Sequence, residues 1–502
     1  MKEYFGGLVR TSSNVWEKVD KNTFNNSIVF IEDTKKIYSN GVYYNNDFEC
    51  EKVLFETENI TLRPNKFYYN PNAISSLDIS LDFEEGVVNT YFVEFGGTNI
   101  SLLLPSYIRW ENDIIPDFSK SYYKYTVKIQ DDVAYVIDKI FDESLIPNYF
   151  YIESLENSNN INLGNGTWLY AKNSRVEYSI DKINWNPLNI TSYTLNKGGK
   201  MYFRCVEGNI EKNSSNSNSL LYTSKKINVG GDISTVIYGE ENVQTINNEY
   251  AMRYLFYNTK MVDASKLLLP ATTLAKSCYQ YMFCGCASLT TAPELPATTL
   301  ADYCYSSMFN GCTSLIVTPE LPATTLNYKC YYRMFYNCTS LTVAPELPAT
   351  TLDTFCYNEM FTGCTSLTVA PELPATELTN YCYSDMFSRC TSLTTAPELP
   401  ATTLAGHCYA YMFQNCTSLT AAPELPAMTL ADYCYCRMFY GCSDLNYIKC
   451  LATNIPDTSC TLNWLNGVSN TGTFVKHPNM NNWSTDDRGI PKGWEVVNAE
   501  TS

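Results

Sequence analysis

The chain has 502 residues with 52 acidic and 35 basic side chains, a formal net charge of −17, and it carries 20 cysteines but only two histidines. The acidic balance excludes the basic stripe of a nucleic-acid binder, and two histidines leave little room for histidine-based catalysis or a Cys/His zinc array. An apolar fraction of 45% is that of a folded protein, and the length allows about three or four domains at roughly 100–200 residues each.

The chain begins MKEYFGGLVRTSSNVWEKVDKN, without the apolar core of a secretory signal, and no later window approaches about 18 consecutive apolar residues. Neither export by its own signal nor membrane insertion is expected. Residues 1–50 contain NSIVFIEDTKKIYSNGVYY, two β-rich runs around a charged turn, with Asn40-Gly41 as a tight-turn dipeptide. This predicts a β-hairpin module too small to be stable alone. Residues 51–145 form a β-rich domain whose clearest strands are LLLPSYIRW (Leu102 to Trp110) and YYKYTVKIQDDVAYVI (Tyr122 to Ile137). Residues 146–225 carry RVEYSIDKINW and GGKMYFRC, short strands and turns that suggest a sandwich. The polar run NIEKNSSNSNS (Asn209 to Ser219) reads as a loop or linker, and residues 226–268 as a degenerate unit capping a downstream repeat array.

From 269 to 450 the string LPATTLADYCYSSMFNGCTSLIVTPE recurs with a fixed period of 26 residues, marked by Pro270, Pro296, Pro322, Pro348, Pro374, Pro400 and Pro426. Two cysteine columns keep the same beat: Cys278, Cys304, Cys330, Cys356, Cys382, Cys408, Cys434 and Cys460, then Cys286, Cys312, Cys338, Cys364, Cys390, Cys416 and Cys442. This period lies in the range of leucine-rich solenoids, with a short strand and a helix or 3₁₀ turn per unit. Windows such as Ala301 to Asn310 place Cys304, Tyr305, Met308 and Phe309 at i, i+1, i+4, i+5, one apolar stripe on a short helix. Gly285, Gly311, Asn337, Gly363, Arg389, Asn415 and Gly441 follow, residues suited to a left-handed helix end except for Arg389. Leu341 to Ala344 and its equivalents read as short strands in a parallel sheet, each ended by a proline such as Pro345. Residues 451–502 lose the repeat and place Trp464, Trp483 and Trp494 among Gly and Pro, a closing cap. The expected fold is thus multidomain. A hairpin module and β-rich, sandwich-like N-terminal domains precede a 26-residue-period leucine-rich-repeat α/β solenoid with a C-terminal cap.

The cysteine columns read first as buried reduced thiols, because helices packed at about 8–10 Å cannot bring successive Cα atoms within disulfide reach; disulfides or a metal are the alternative. Cys284 and Cys436 lie off the columns and are expected to be the exposed thiols. The Tyr279-to-Tyr435 column and the Met-Phe column read as core, with carbohydrate stacking as the alternative. Glu294, Glu320, Glu346, Glu372, Glu398 and Glu424 form a further column, either a fanned, solvated ladder or a row of cation sites or acidic strip for a basic or hydroxyl-rich partner. Positions that vary between repeats form the candidate binding surface, Tyr281, Tyr332, Arg333, Glu359, Asp385, Tyr411 and Arg437, against the alternative of unconstrained surface. No catalytic residue, cofactor or metal centre is expected. A glycosidase needs two differentiated carboxylates, whereas these acids repeat, and His407 and His477 read as surface residues.

The MFxGCTSL and LPATTL units resemble the BspA-type leucine-rich repeats of gut Bacteroidales and their phages, as do NVGGDISTVIYGE before them and GTFVKHPNMNNW with GIPKGWEV after them. SIVFIEDTKKIYSNGVYY and LPSYIRWENDIIPDFSKSYYKYTVKIQDDVAYV resemble modules of virion fibre and tail proteins of crAss-like phages. The first resemblance implies adhesion rather than catalysis, on a bacterial surface or on a virion; the second implies a head or tail fibre, commonly a homotrimer. Its N-terminal region would dock on capsid or tail proteins and its solenoid on a host surface protein or glycan. The lack of an export signal and the reduced thiols favour a virion protein assembled in the host cytoplasm over a bacterial adhesin. A polysaccharide depolymerase spike is the enzymatic alternative.

Overall fold

The computed structural model describes residues 9–11, 28–31, 36–39, 42–44, 52–55, 59–64, 66–82, 90–111, 123–130, 132–141, 146–163, 175–207, 221–457, 459–481 and 483–500. The chain divides into two compact units, Met1–Pro147 and Asn148–Ser502. Both are rich in β-structure, and the one described helix is the single turn Ser234–Ile237.

In the first unit, Val9–Thr11, Ile28–Ile31, Lys36–Ser39 and Val42–Tyr44 form a four-stranded sheet in chain order. The last three are antiparallel, with Ser39 opposite Val42; the intervening Asn40-Gly41 and the run 209–219 lie outside the described residues. A seven-stranded sheet is centred on Phe67–Leu81, Thr90–Leu103, Tyr123–Gln130 and Val133–Phe141. The first two are parallel and the last two form an antiparallel hairpin. Alternating apolar residues build its core, Tyr91, Val93 and Phe95 from one strand and Tyr125, Val127 and Ile129 from its neighbour. LLLPSYIRW is not one strand. Thr90–Leu103 ends before Pro105, and Arg109–Trp110 joins a different edge of the sheet.

In the second unit, a six-stranded sheet runs in the order Asn186–Pro187, Arg175–Ser179, Lys200–Glu207, Tyr151–Ser154, Ile227–Asp232, Met261–Leu268. A three-stranded sheet of Ser192–Leu195, Asn159–Asn162 and Tyr222–Thr223 shares its core through Ile161, Leu163, Met201 and Phe203. The segments read as 146–225 and 226–268 therefore contribute to one sheet. Its last pair, Ile227–Asp232 with Met261–Leu268, is parallel, and from Asp263 a bridge passes to Thr291 and on to Val317. The parallel stacking of the sheet thus continues directly into the repeats.

Each repeat is a coil of two arcs. In the extended arc, isolated parallel bridges join equivalent residues of neighbouring coils, among them Thr273 to Thr299, Val343 to Val369 and Val369 to Thr395. Contact at single residues replaces the strands expected there, because the prolines on either side remove donors. The other arc is not helical, which corrects the α/β expectation. Backbone N–H groups of Ser277, Tyr279, Tyr281, Phe283 and Gly285 donate to the carbonyls of Asp302, Cys304, Ser306, Met308 and Asn310 on the next coil, at 2.7–3.0 Å. The intervening N–H groups of Cys278, Gln280, Met282, Cys284 and Cys286 donate three residues back within their own coil. A left-handed residue every fourth position, Ser277, Tyr281 and Gly285 with φ of 55°, 58° and 76°, turns alternate peptides outward. A helix would close all these bonds on itself; here half of them link the coils.

The interior carries the periodic apolar residues. Cys304, Tyr305, Met308 and Phe309 and their equivalents are almost wholly buried. The Tyr rings stack from Tyr279 to Tyr435 at 5.5–6.2 Å between centroids, the Phe rings from Phe256 to Phe439 at 5.3–5.7 Å. With both faces of each buried ring covered by neighbours, the Tyr column offers no platform to a sugar. Past the repeats, Tyr447–Cys450, Thr473–Lys476 and Glu495–Asn498 form a parallel sheet, and Trp464 closes the ring column by stacking on Tyr435 and Trp483.

Candidate functional site

The cysteine columns are inside. Cys304, Cys330, Cys356, Cys382 and Cys408, and Cys312, Cys338, Cys364, Cys390 and Cys416, are buried and free. In the second column each thiol donates to a main-chain carbonyl of the preceding coil, Cys312 to Phe283, Cys338 to Phe309, Cys364 to Phe335, Cys390 to Phe361 and Cys416 to Phe387, at 3.1–3.2 Å. Burial pushes the Cys304, Cys364 and Cys382 thiols up to about 12, so the thiolate is suppressed. The coils are joined backbone to backbone, far closer than packed helices, so the spacing of the coils does not by itself keep the thiols apart. Off the columns, Cys284 is half-buried, while Cys436, expected on the surface, is buried.

The variable positions fall into a pattern the sequence did not reveal. Tyr281, Arg333, Glu359, Asp385, Tyr411 and Arg437 are the middle left-handed residue of successive coils, with φ from 50° to 59°, and form one half-buried column; Ser307 completes it. Their side chains are largely spent on one another. Tyr281 stacks on Tyr254 at 4.8 Å and 2° between planes. Arg333 grips the next coil's Glu359 through Nε and a terminal nitrogen at 2.9 and 2.8 Å, and the Tyr332 hydroxyl reaches the same carboxylate at 3.3 Å. Arg437 lies over the rings of Tyr411 and Tyr440. Asp385 accepts from the Ser384 hydroxyl, at 3.0 Å, and its carboxyl is pushed up to about 6, chiefly by burial. The residues just before this column, Gln280, Ser306, Asn358, Ser384, Ala410 and Cys436, are buried, whereas Tyr332 is half-buried beside Arg333.

A second left-handed column was missed entirely. Phe355, Tyr381, His407 and Tyr433 stack at 4.3–4.7 Å, and the Lys329 ammonium sits over the Phe355 ring at 4.7 Å. Only the 26-residue register itself could have found it, since Ser277 and Lys329 at equivalent positions hide the aromatic pattern. Burial between Tyr381 and Tyr433 pushes the His407 imidazole down.

Glu294, Glu320, Glu346, Glu372, Glu398 and Glu424 are all exposed on the extended arc. Glu424 is paired, with Lys449 at 2.8 Å. Three residues before Glu320, Glu346 and Glu372, the same arc exposes Val317, Val343 and Val369 to 53, 70 and 56%, and Ile316 beside Val317 to 56%. Among the described residues, no group of three His, Cys, Asp or Glu side chains is arranged to hold a metal ion, and no helix is long and apolar enough to cross a membrane. No protein-family model, curated protein or solved structure matches this chain.

Proposed function

We propose that the chain is a structural protein of a bacteriophage virion, a head or tail fibre or decoration protein. The coils are read as BspA-type leucine-rich repeats that adhere to the host surface or its glycans, while the N-terminal β-rich region docks on capsid or tail proteins. The observation that carries this reading is the extended arc, which sets an exposed glutamate at every 26-residue step along a hydrogen-bonded scaffold. Such a surface suits repeated weak contacts, and display as a homotrimer on a symmetric particle adds avidity. Binding is favoured over catalysis because the exposed acids recur as equivalents rather than as one differentiated pair.

The test is adsorption. Particles carrying a chain without residues 269–450 should assemble but lose adsorption to host cells, and purified full-length protein should block adsorption of wild-type particles. Undiminished adsorption by the deleted particles, together with no blocking by the intact protein, overturns the reading. A particle reconstruction assigns head or tail.

A further inference from the structure

The extended arcs segregate charge. The segments 287–300, 313–326, 339–352, 365–378, 391–404 and 417–430 hold seven glutamates and no Lys, Arg or His. Basic residues of the repeats lie on the opposite, turn-forming arc, where Arg333 and Arg437 are engaged with Glu359 and aromatic rings. Among the described residues no ion pair reaches Glu294, Glu320, Glu346, Glu372 or Glu398. Beside them runs the exposed strip of Ile316, Val317, Val343 and Val369. A contiguous apolar strip rimmed by charge is the usual mark of an interaction surface. The protein itself displays what the glutamate column takes. In the strand Tyr447–Cys450 that follows the last coil, Lys449 places its ammonium on Glu424, and Tyr447 bridges to Ala421 in the valine register.

We infer that this arc binds an extended, lysine- or arginine-bearing polypeptide that lies along the stack, its basic side chains on alternate glutamates such as Glu320 and Glu372, or Glu346 in the neighbouring register, and its apolar side chains on the strip of Val317, Val343 and Val369. The inference deepens the adhesive reading, on which it rests, by naming the partner's chemistry. A chain in polyproline II conformation rises about 3.1 Å per residue with three residues per turn, and hydrogen-bonded coils repeat at about 4.8 Å, so one turn covers two coils and returns every third side chain to the same face. Basic residues at every third position therefore meet alternate glutamates. A second copy of this chain does not fit, because its net charge of −17 and its own acidic arc repel. A bare metal ion finds no clustered ligand set, and a cationic glycan leaves the valine strip uncovered.

The test uses the full-length protein and three fluorescein-labelled peptides of twelve residues, (Lys-Val-Thr)₄, (Lys-Gly-Ser)₄ and (Glu-Val-Thr)₄, followed by anisotropy. The first should bind at least tenfold tighter than the second, and the third should not bind. The triple variant Glu320→Gln/Glu346→Gln/Glu372→Gln should weaken the first peptide at least tenfold. A control triple with the same change of charge in the cap, Asp487→Asn/Glu495→Gln/Glu500→Gln, should leave it within twofold. All six positions are exposed, and circular dichroism should confirm unchanged folding. Equal weakening by both triples, equal binding of the first two peptides, or tighter binding of a chitosan oligosaccharide of matched charge overturns the inference. The adhesive reading fails separately, by adsorption that survives removal of residues 269–450.

Discussion

Asp385 occupies a left-handed position in the fifth coil, with Glu359 on one side and Tyr411 on the other, and no arginine closes on it as Arg333 closes on Glu359. Its pKa is raised first by burial, with Glu359 adding to this and the Ser384 hydroxyl, Arg333 and Arg389 opposing it. The raised value of about 6 compares with about 3.9 in an unfolded chain. The folded protein therefore binds more protons than the unfolded one between about pH 4 and 6. Stability from this group is fully present below about pH 4 and is lost as pH rises through about 6, a change of about 2–3 kcal/mol. Asp385→Asn should be more stable than the wild type at pH 7.5 by up to that amount and equal to it at pH 3.5. Chemical denaturation at the two pH values measures this, and equal stabilities at pH 7.5 would refute it. Left-handed geometry gives a second comparison. Gly363 has φ of 76°, and a Cβ there would run into the Asn337 side chain, whereas Arg389 holds φ of 62° in an exposed equivalent position. Gly363→Ala should cost about 1–3 kcal/mol, and Arg389→Gly should gain about 1 kcal/mol, in the same denaturation assay.

At the scale of the element, the turn-forming arc explains both what the residues disclosed and what they hid. Register, the two cysteine columns and the apolar stripe were legible because all three depend on which residues repeat. The backbone was not. Spacing i, i+1, i+4, i+5 fits a 3.6-residue helix, and it fits equally a ribbon that reverses every four residues. Gly285 and its equivalents betray one left-handed position per coil, but Tyr281, Arg333 and Glu359, which share that conformation, give no such sign. They are tolerated because stacking and ion pairing to a neighbouring coil offset the backbone cost. Pairing across coils is also what decides how far the candidate surface faces outward. The arc makes the thiols inert: each column cysteine is enclosed by two neighbouring coils, and the Cys364 thiol is bonded to Phe335. Native protein treated with an aromatic disulfide reagent at pH 8 should leave the fifteen column thiols unmodified, as read by peptide mapping, whereas denatured protein should react at all fifteen. Modification of Cys338 or Cys364 before unfolding would show that the coils open locally.

For the whole molecule, the same hydrogen bonds make stability a sum over neighbours. Each coil meets only the coil before and the coil after it, through identical bonds and identical ring stacks. In such an array the ends are special and the interior units are exchangeable. The ends here are distinct: Met261–Leu268 delivers the chain in parallel register at one side, and Trp464 and Trp483 cover the last ring pair at the other. Removing one complete interior coil, residues 345–370, joins Ala344 to Pro371, the equivalent of Pro345, and restores every column in phase. Removing thirteen residues, 345–357, instead places Asn358 and Glu359 where Pro345 and Glu346 stood, and it puts Pro374 in the Phe column and Glu377 in the second Cys column. The 26-residue deletion should therefore give folded protein with an unchanged circular-dichroism line shape and a cooperative melt. Its stability should fall by no more than one coil and one interface contribute. The half-length deletion should fail to fold. If both deletions were equally disruptive, the coils would be coupled beyond their neighbours, and the exposed arc could not be lengthened or shortened one step at a time.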